Sequence, residues 1–182
     1  MARHALPAGF SKLSPWTEDG ELTVVIETPK GSRNKYAFDP ERDVFELKKV
    51  LPAGMSFPYD FGFVPSTIAG DGDPIDVLVL MDEPAFPGCV LTCRLIGVVE
   101  GETIEDGEVE RNDRLVGVET HTHSFERVRT LKDLGDNFVA ELEAFFVNYH
   151  ELSDHEYRVL NSRGPRVARD HVNQAMRHRK KR

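Results

Sequence analysis

The chain is poor in cysteine and in long apolar runs. Its 182 residues include two cysteines, Cys89 and Cys93, and no segment approaches the ~20 apolar residues needed to span a membrane. The cysteines lie four positions apart in one predicted strand, which indicates two buried free thiols and not a disulfide or a metal pair. The N-terminus also has no apolar run of the kind found in signal peptides, so we expect a cytoplasmic protein.

The chain also has fewer basic than acidic residues. The chain has 23 Lys and Arg residues against 31 Asp and Glu residues, which gives a formal net charge of −8. This balance argues against general binding to nucleic acids or to anionic membranes. It does not exclude an anionic substrate, because a bound metal ion reverses the local sign of the potential. The length and the absence of repeats or linkers predict one domain over residues 1–182.

Short β-type segments, punctuated by glycine and proline, occupy the first two thirds of the chain. The pattern predicts strands at residues 21–28, 75–80, 89–99 and 113–119, a hairpin that joins KYAF to DVFEL, and a bent strand region at residues 55–66. Many short strands of this kind favour a small closed or partly closed barrel.

The apolar period changes to that of a helix after Thr130. One stripe then contains Phe138, Leu142, Phe145, Phe146 and Tyr149, and Asp136 is expected to cap this helix. A second, weaker helix is predicted from about Pro165 onward. We interpret residues 165–182, which end in RHRKKR, as a helical or disordered basic tail, with phosphate binding as the alternative.

The stretch GDGDPIDVLVL places Asp71, Asp73 and Asp76 directly before an apolar strand. In extended backbone Asp71 and Asp73 project to the same side, and Asp76 joins them only if the chain bends near Pro74. Carboxylates this close repel one another unless a cation lies among them, and oxygen ligands suit Mg²⁺ first and Mn²⁺ or Ca²⁺ next. An EF-hand is excluded because its sixth loop position would be Asp76 instead of glycine. A plain acidic turn is the alternative.

Cationic residues lie where a phosphate clamp needs them. Lys35 begins one predicted strand, Lys49 follows another and Arg114 opens a third. Each alone is typical of a solvated surface charge, whereas together with a metal site they can hold phosphate oxygens. Glu27, at the end of an apolar strand, is either an edge carboxylate or a group that orients a lysine or a metal-bound water.

The histidines offer a separate metal hypothesis. His121 and His123 share one face if extended, and His150 or His155 could supply a third zinc ligand. No cysteine or H-E-x-x-H motif joins them in the sequence, so polar loop or strand-end positions are the default interpretation.

With these motifs the sequence resembles the soluble family I inorganic pyrophosphatases. The resemblance covers about residues 20–150 and is carried, in the family's order, by VVIETP, KY at 35–36, FPYDFGFVPST, DGDPIDVLVL, PGCVLTCRLIGVVE, RNDRLVGV and AFFVNYH. It implies a mainly β protein with flanking helices (α+β), in which one long helix of the C-terminal half packs on a five-stranded, closed, oligonucleotide-binding-like barrel. It also implies hydrolysis of inorganic diphosphate to two phosphates with Mg²⁺, or Mn²⁺, by a homo-oligomer.

The resemblance assigns roles residue by residue. Asp73 becomes the catalytic carboxylate that helps to deprotonate the attacking water. The metal ligands become Asp71, Asp76 and Asp106. The substrate-binding residues become Lys35, Lys49, Arg114 and Tyr149. Further candidates are Glu27 at the site edge and, where the family has a second loop aspartate, Asn112 or its neighbour Asp113.

Several positions depart from the family pattern. The family usually has glutamate where this chain has Ala37 and arginine where it has Lys49. It usually has lysine at the positions of Arg114 and His150, and tyrosine at the positions of Phe57 and Phe61. The loop EGETIEDGEVERNDR is also long. Because arginine and lysine are not equivalent at a bidentate contact, these changes bear on phosphate geometry. Two alternatives stay open: a non-catalytic metal- and phosphate-binding barrel, and a phosphohydrolase that acts on a nucleotide or a short polyphosphate. The presence of Asp73 favours an enzyme over the first, and the lack of a Gly-rich nucleotide-binding loop argues against the second.

Overall fold

The computed structural model describes residues 9–152 and 155–180. The ends of the predicted domain, residues 1–8 and 181–182, lie outside the described residues and include the last two residues of the basic run. The strands are β1 (Leu22–Thr28), β2 (Asn34–Asp39), β3 (Val44–Val50), β4 (Asp60–Phe63), β5 (Asp76–Leu80), β6 (Val90–Glu105), β7 (Glu108–Arg111), β8 (Arg114–Glu119) and β9 (Glu156–Arg163). The helices are α1 (Asp136–Glu151) and α2 (Pro165–Lys180), with short 3₁₀ turns at Phe10–Lys12 and Leu131–Leu134.

Five strands pair in a closed ring. Strand β1 pairs with β4, β4 with β5, β5 with β8, β8 with β6, and β6 returns to β1. Only the β5–β8 pair of this ring is parallel. Strand β6 can contact two neighbours because its start pairs with β1 and its middle pairs with β8, where the register shifts between Leu95 and Gly97. The predicted small closed barrel is thereby confirmed.

Strand β5 is apolar on both faces, and this fixes where the site lies. Leu78 and Leu80 belong to an apolar cluster that includes α1, while Val77 and Val79 belong to one that includes α2. Successive strand residues point to opposite faces, so each face buries two side chains at about 1.5–3 kcal/mol apiece. The polar residues can therefore gather only where β5 begins, at Asp76.

The β2–β3 hairpin is confirmed, but the long loop predicted after β6 is wrong. Strand β6 runs on to Glu105, and a two-residue turn, Asp106 and Gly107, leads back into β7. Both turn residues have positive φ, 50° and 84°, which is the geometry that suits the twist of a two-residue hairpin. The residues of β7 are all exposed, so the segment carries no apolar alternation that could have revealed a strand.

Both predicted helices are present, with one correction at a terminus. Gly135, at φ 82°, precedes α1, and Asp136 is the first helical residue instead of the cap. Its carboxylate in the first turn still interacts favourably with the helix N-terminus. The predicted weaker helix, α2, runs for 16 residues and buries Ala168, Val172 and Ala175 along one stripe. Strand β9, which pairs with β6 outside the ring, was not predicted.

The cysteines are free thiols, as expected. Cys93 is buried in the core and Cys89 is half-buried, so the expectation of two fully buried thiols is correct only for Cys93. None of the helices in the described ranges combines the length and the apolar character that crossing a membrane requires.

Candidate active site

A cavity of about 560 Å³ lies between the start of β5, the β2–β3 hairpin and the C-terminal end of α2. Asp71, Asp73 and Asp76 all line it, so the chain does bend near Pro74 and brings the three carboxylates to one side. Other charged residues of the lining are Glu27, Lys35, Asp39, Glu41, Lys48 and Arg179. The aspartate cluster is therefore part of a concave site and not an isolated surface turn.

The turn that carries the aspartates is held by its own backbone. The N–H of Asp73 donates to Oδ1 of Asp71 at 3.0 Å, and the N–H of Ala69 donates to the carbonyl of Asp73 at 2.7 Å. Gly72 takes a φ of 89°, a conformation that glycine adopts without a steric cost. The local sequence thus holds the carboxylate of Asp71 and the backbone of Asp73 in place.

Burial and mutual repulsion disturb the acids of the cavity. Burial raises the pKa of Asp71, and the charges of Asp76 and Asp73 raise it further. Burial likewise raises the pKa of Glu27 to about 7, although Glu27 Oε1 accepts a 2.7 Å hydrogen bond from the N–H of Phe38. Carboxylates that crowd one another in this way favour a cation in the cavity.

Asp76 has a cationic partner. Arg114 Nη1 lies 2.7 Å from Asp76 Oδ2, and the same guanidinium donates to Asn112. Arg114 is 6% exposed, and its Nε has no hydrogen-bond partner among the described residues. A buried guanidinium with an unused donor beside a carboxylate can donate a hydrogen bond to a further oxygen atom.

The predicted phosphate-binding residues lie together around aromatic rings. Lys49 Nζ is 3.7 Å from the ring centroid of Tyr149, and Lys35 Nζ is 5.6 Å from the same centroid. Lys35 Nζ and Arg114 Cζ also lie over the ring of Phe61, at 5.3 and 6.0 Å. Lys35 and Lys49 are register partners in the β2–β3 hairpin, where two like charges cost stability. The aromatic faces offset part of this cost and hold the cations close together.

His150 lies beside this cluster and is uncharged. It is 8% exposed, its ring stacks on Tyr157 at 4.8 Å, and its Nε2 has no partner among the described residues. Burial lowers the pKa of His150 to about 3, and the charges of Arg114, Lys49 and Lys35 act in the same direction. At neutral pH, His150 therefore adds no positive charge to the site.

Lys49, Arg114 and Tyr149, whose contacts are described above, are not part of this cavity lining, and neither are Asp106, Asn112 and Asp113. Asp106 forms the hairpin turn described above. Asn112 donates to Thr103 at 2.8 Å and accepts from Arg114. Asp113 faces a second cavity of about 400 Å³. Burial there raises the pKa of Asp113, but the hydrogen bonds from His171 and from the N–H of Gly101 outweigh burial, so the pKa is lowered.

The zinc hypothesis is wrong. His121 is 89% exposed and binds Glu119 at 2.7 Å, and His155 binds Glu105 at 3.1 Å, whereas His150 is buried on Tyr157. Within residues 9–152 and 155–180, no three His, Cys, Asp or Glu side chains form a group that could hold one metal ion.

Residues 24–180 match the sequence model of a family described as Inorganic pyrophosphatase. The chain belongs to the family I soluble inorganic pyrophosphatases. The inorganic pyrophosphatase of Synechocystis sp. is 38% identical over 151 residues, which cover 83% of this chain and 87% of that protein. The inorganic pyrophosphatase of Geobacillus stearothermophilus is 37% identical over 151 residues, which cover 83% of this chain and 89% of that protein.

Solved pyrophosphatase structures have the same architecture. The inorganic pyrophosphatase of Thermus thermophilus superposes with a TM-score of 0.86 at 30% identity, covering 95% of this chain and 99% of that chain. The enzyme of Neisseria gonorrhoeae gives 0.84 at 29% identity, with 94% and 98% covered. The predicted fold class, mainly β with flanking helices around an oligonucleotide-binding-like barrel, is confirmed.

Pyrophosphatases of this family are metal-dependent, and the cavity fits a hard divalent cation. Its acidic lining presents only oxygen donors, and the raised pKa of Asp71 reflects burial and crowding by Asp76 and Asp73 that a cation would relieve. Since no three acids of the described chain form a group that could hold a metal, one or two carboxylates of this lining would hold such an ion. Mg²⁺ binds in this way, with water and substrate phosphates completing its shell.

The family departures shape the floor and one wall of the site. Phe57 and Phe61 are 2% and 3% exposed, and their ring centroids lie 5.6 Å apart beneath the cations. They provide an apolar floor without phenolic hydroxyls. Ala37 lines the cavity, so no carboxylate occupies its place in the wall.

One cavity residue was assigned differently from the sequence. Arg179 belongs to the run RHRKKR, which we interpreted as a basic tail, yet α2 carries its side chain into the cavity lining. The run itself was a signal of positive charge, but only the packing of α2 reveals where that charge lies.

Proposed function

We propose that this pyrophosphatase hydrolyses inorganic diphosphate to two phosphates in the cavity lined by Asp71, Asp73 and Asp76. The observation that carries the proposal is the Asp76–Arg114 ion pair, because it joins the carboxylates to the cations clustered around Tyr149. A diphosphate site needs carboxylate oxygens that bind the metal counter-ions, and it also needs fixed cationic side chains that bind the phosphate oxygens.

The cofactor that we propose is Mg²⁺, or Mn²⁺, held by Asp71 and Asp76. When bound, such an ion neutralises phosphate charge and lowers the pKa of water. Asp106 is not included in this ligand set, because the structure gives it the left-handed position of a hairpin turn outside the cavity lining.

We propose Asp73 as the general base. Its backbone is fixed by hydrogen bonds to Asp71 and Ala69, and its side chain lines the cavity between the two ligand positions. A carboxylate held in this way can accept the proton of the attacking water, a contribution of typically 10²–10⁴-fold in rate.

The cations bind the substrate and receive the leaving phosphate. We assign this role to Lys35, Lys49 and Arg114, with Tyr149 as their platform and as a hydrogen-bond donor to phosphate. The two lysines approach from the β2–β3 hairpin and Arg114 from the head of β8, so charge that develops on the leaving group meets donors from two sides. No covalent enzyme intermediate is required.

One assay separates this function from its alternatives. Phosphate release is measured with diphosphate, ATP and tripolyphosphate, each with and without Mg²⁺. The proposal predicts metal-dependent release that is fastest with diphosphate. Faster release from ATP or tripolyphosphate would instead identify a nucleotide or polyphosphate hydrolase. Binding of diphosphate without release would identify a non-catalytic barrel.

We also propose that the chain folds as one domain over residues 1–182, acts in the cytoplasm and assembles as a homo-oligomer. The family match over residues 24–180 supports the first point, and the two free thiols suit a reducing compartment. Exposed apolar side chains, namely Leu47 at 54%, Val50 at 55% and Phe86 at 67%, support self-association. Size-exclusion chromatography with light scattering tests the last point.

A further inference from the structure

The C-terminal end of α2 forms part of the active-site cavity. Arg179 lies in the same lining as Asp71 and Asp73. Helix α2 is firmly placed, because Ala168 and Val172 are fully buried and the carbonyl of Ala175 accepts a 3.1 Å hydrogen bond from the N–H of Ile68. The position of Arg179 thus follows from core packing and not from a loose terminal segment.

The charges around the cavity give this position its importance. The lining contains six acids, Glu27, Asp39, Glu41, Asp71, Asp73 and Asp76, and three cations, Lys35, Lys48 and Arg179. Lys48 Nζ is bound to Glu46 at 2.7 Å, and its side chain is 49% exposed. Lys35 lies on the hairpin wall beside Tyr149. Arg179 adds positive charge to the lining from α2, a different element from the hairpin that carries Lys35 and Lys48.

We propose that Arg179 is a further substrate-binding residue, whose guanidinium contacts phosphate oxygens of diphosphate in the cavity that Lys35 also lines. The proposal rests on the proposed function of this site. A guanidinium is suited to this contact because its planar fork matches phosphate oxygens in two parallel hydrogen bonds. Cations from two elements also let the site retain an anion despite its excess of acids.

The chain offers a matched control. Arg177 lies two residues away in the same turn of α2, is exposed, and does not belong to the cavity lining. Arg179→Gln and Arg177→Gln therefore remove the same charge from the same helix end. Any effect of net charge alone must appear in both variants.

The experiment compares steady-state phosphate release by the two variants and the unmodified protein at saturating Mg²⁺. Since a hydrogen bond to a charged group contributes about 1.5–3 kcal/mol, we expect Arg179→Gln to raise KM for diphosphate about tenfold or more with kcat little changed. Arg177→Gln should keep KM within about twofold, as is usual for surface substitutions. Arg179→Lys should restore part of the loss, because it returns the charge but not the fork.

Two measurements keep this test separate from that of the overall function. Calorimetric titration with imidodiphosphate and Mg²⁺ reports binding without turnover, so a chain that released no phosphate would still reveal whether Arg179 contacts the anion. Thermal unfolding identifies a purely structural role. Equal affinity in Arg179→Gln and Arg177→Gln overturns the proposal, as does a lowered Tm of Arg179→Gln with unchanged KM.

Discussion

Arg114 binds Asp76 across 2.7 Å, and the two residues are register partners at the heads of the parallel strands β8 and β5. The motifs RNDR and DPID thus meet through the sheet and not through the sequence. Since Asp76 is also the proposed metal ligand, an ion bound there shares its carboxylate with a guanidinium. We therefore expect Arg114 to orient this proposed ligand as well as the substrate.

The first prediction concerns this pair. Lysine at position 114 keeps the charge but not the planar fork, in which Nη1 contacts Asp76 and Asn112 while Nε keeps its own donor for another oxygen. We expect Arg114→Lys to raise KM about tenfold and to lower the free energy of unfolding by about 1–3 kcal/mol, measured by kinetics and urea denaturation. Arg158→Lys, whose 3.6 Å pair with Glu156 is exposed, should change neither. An unchanged KM in Arg114→Lys would show that Arg114 is not a phosphate ligand.

The second prediction isolates the general base. Asp73→Asn keeps the size of the side chain and the backbone turn, so the fold should remain intact while kcat falls at least ~100-fold. Glu41→Gln is the control, because Glu41 also lines the cavity and loses the same charge. Because solvent and salt screen the charge of a residue that does not take part in proton transfer, Glu41→Gln should keep kcat within about threefold. Full activity of a folded Asp73→Asn protein would refute the proposed role.

The central part of the site could be predicted from the sequence because its geometry is local. Asp71 and Asp73 are positioned by one glycine, one proline and hydrogen bonds within the same turn. The apolar run after Asp76 predicts a buried strand and hence a polar edge where it begins. Spacing predicted the cluster of carboxylates, but it left open whether Asp76 joins the cluster and whether the turn is a plain acidic one.

The remaining features depend on contacts between distant segments. The Asp76–Arg114 pair requires the parallel register of β5 and β8, and the place of Arg179 requires the packing of α2 on the barrel. Strand β7 escaped prediction because all its residues are exposed. The metal-binding role predicted for Asp106 stays a prediction, because an Asp-Gly turn and a metal-binding aspartate look alike in one sequence.

The third prediction follows from Glu27. Burial raises its pKa from an ordinary 4.5 to about 7, so between these values the folded protein keeps a proton that the unfolded chain has released. Its contribution to stability is fully present below pH 4.5 and is lost as the pH rises through 7. In metal-free protein, we expect the wild type to lose up to about 3 kcal/mol more than Glu27→Gln across this window. Urea denaturation at pH 5, 6, 7 and 8 measures the difference.

The Glu27→Gln variant is a suitable reference because its amide oxygen can still accept the hydrogen bond from the N–H of Phe38. Groups that titrate in both proteins cancel in the comparison. Parallel stability curves for the two proteins over this pH range would mean that Glu27 is ionised throughout and that the cavity is better solvated than its burial indicates.

The fourth prediction separates the hairpin turn from the metal site. Asparagine also tolerates the left-handed backbone, so Asp106→Asn removes a carboxylate and keeps the turn. Because Asp106 is outside the cavity lining, we expect Asp106→Asn to leave the midpoint of the Mg²⁺ titration of activity within about twofold, whereas Asp71→Asn should raise it at least ~10-fold, as for loss of a ligand. Gly107→Ala, at φ 84°, should lower stability by about 1–2 kcal/mol without moving the midpoint. A midpoint shift in Asp106→Asn as large as that in Asp71→Asn would place the tip of the β6–β7 hairpin in the metal site, and the ligand set would then have to include Asp106.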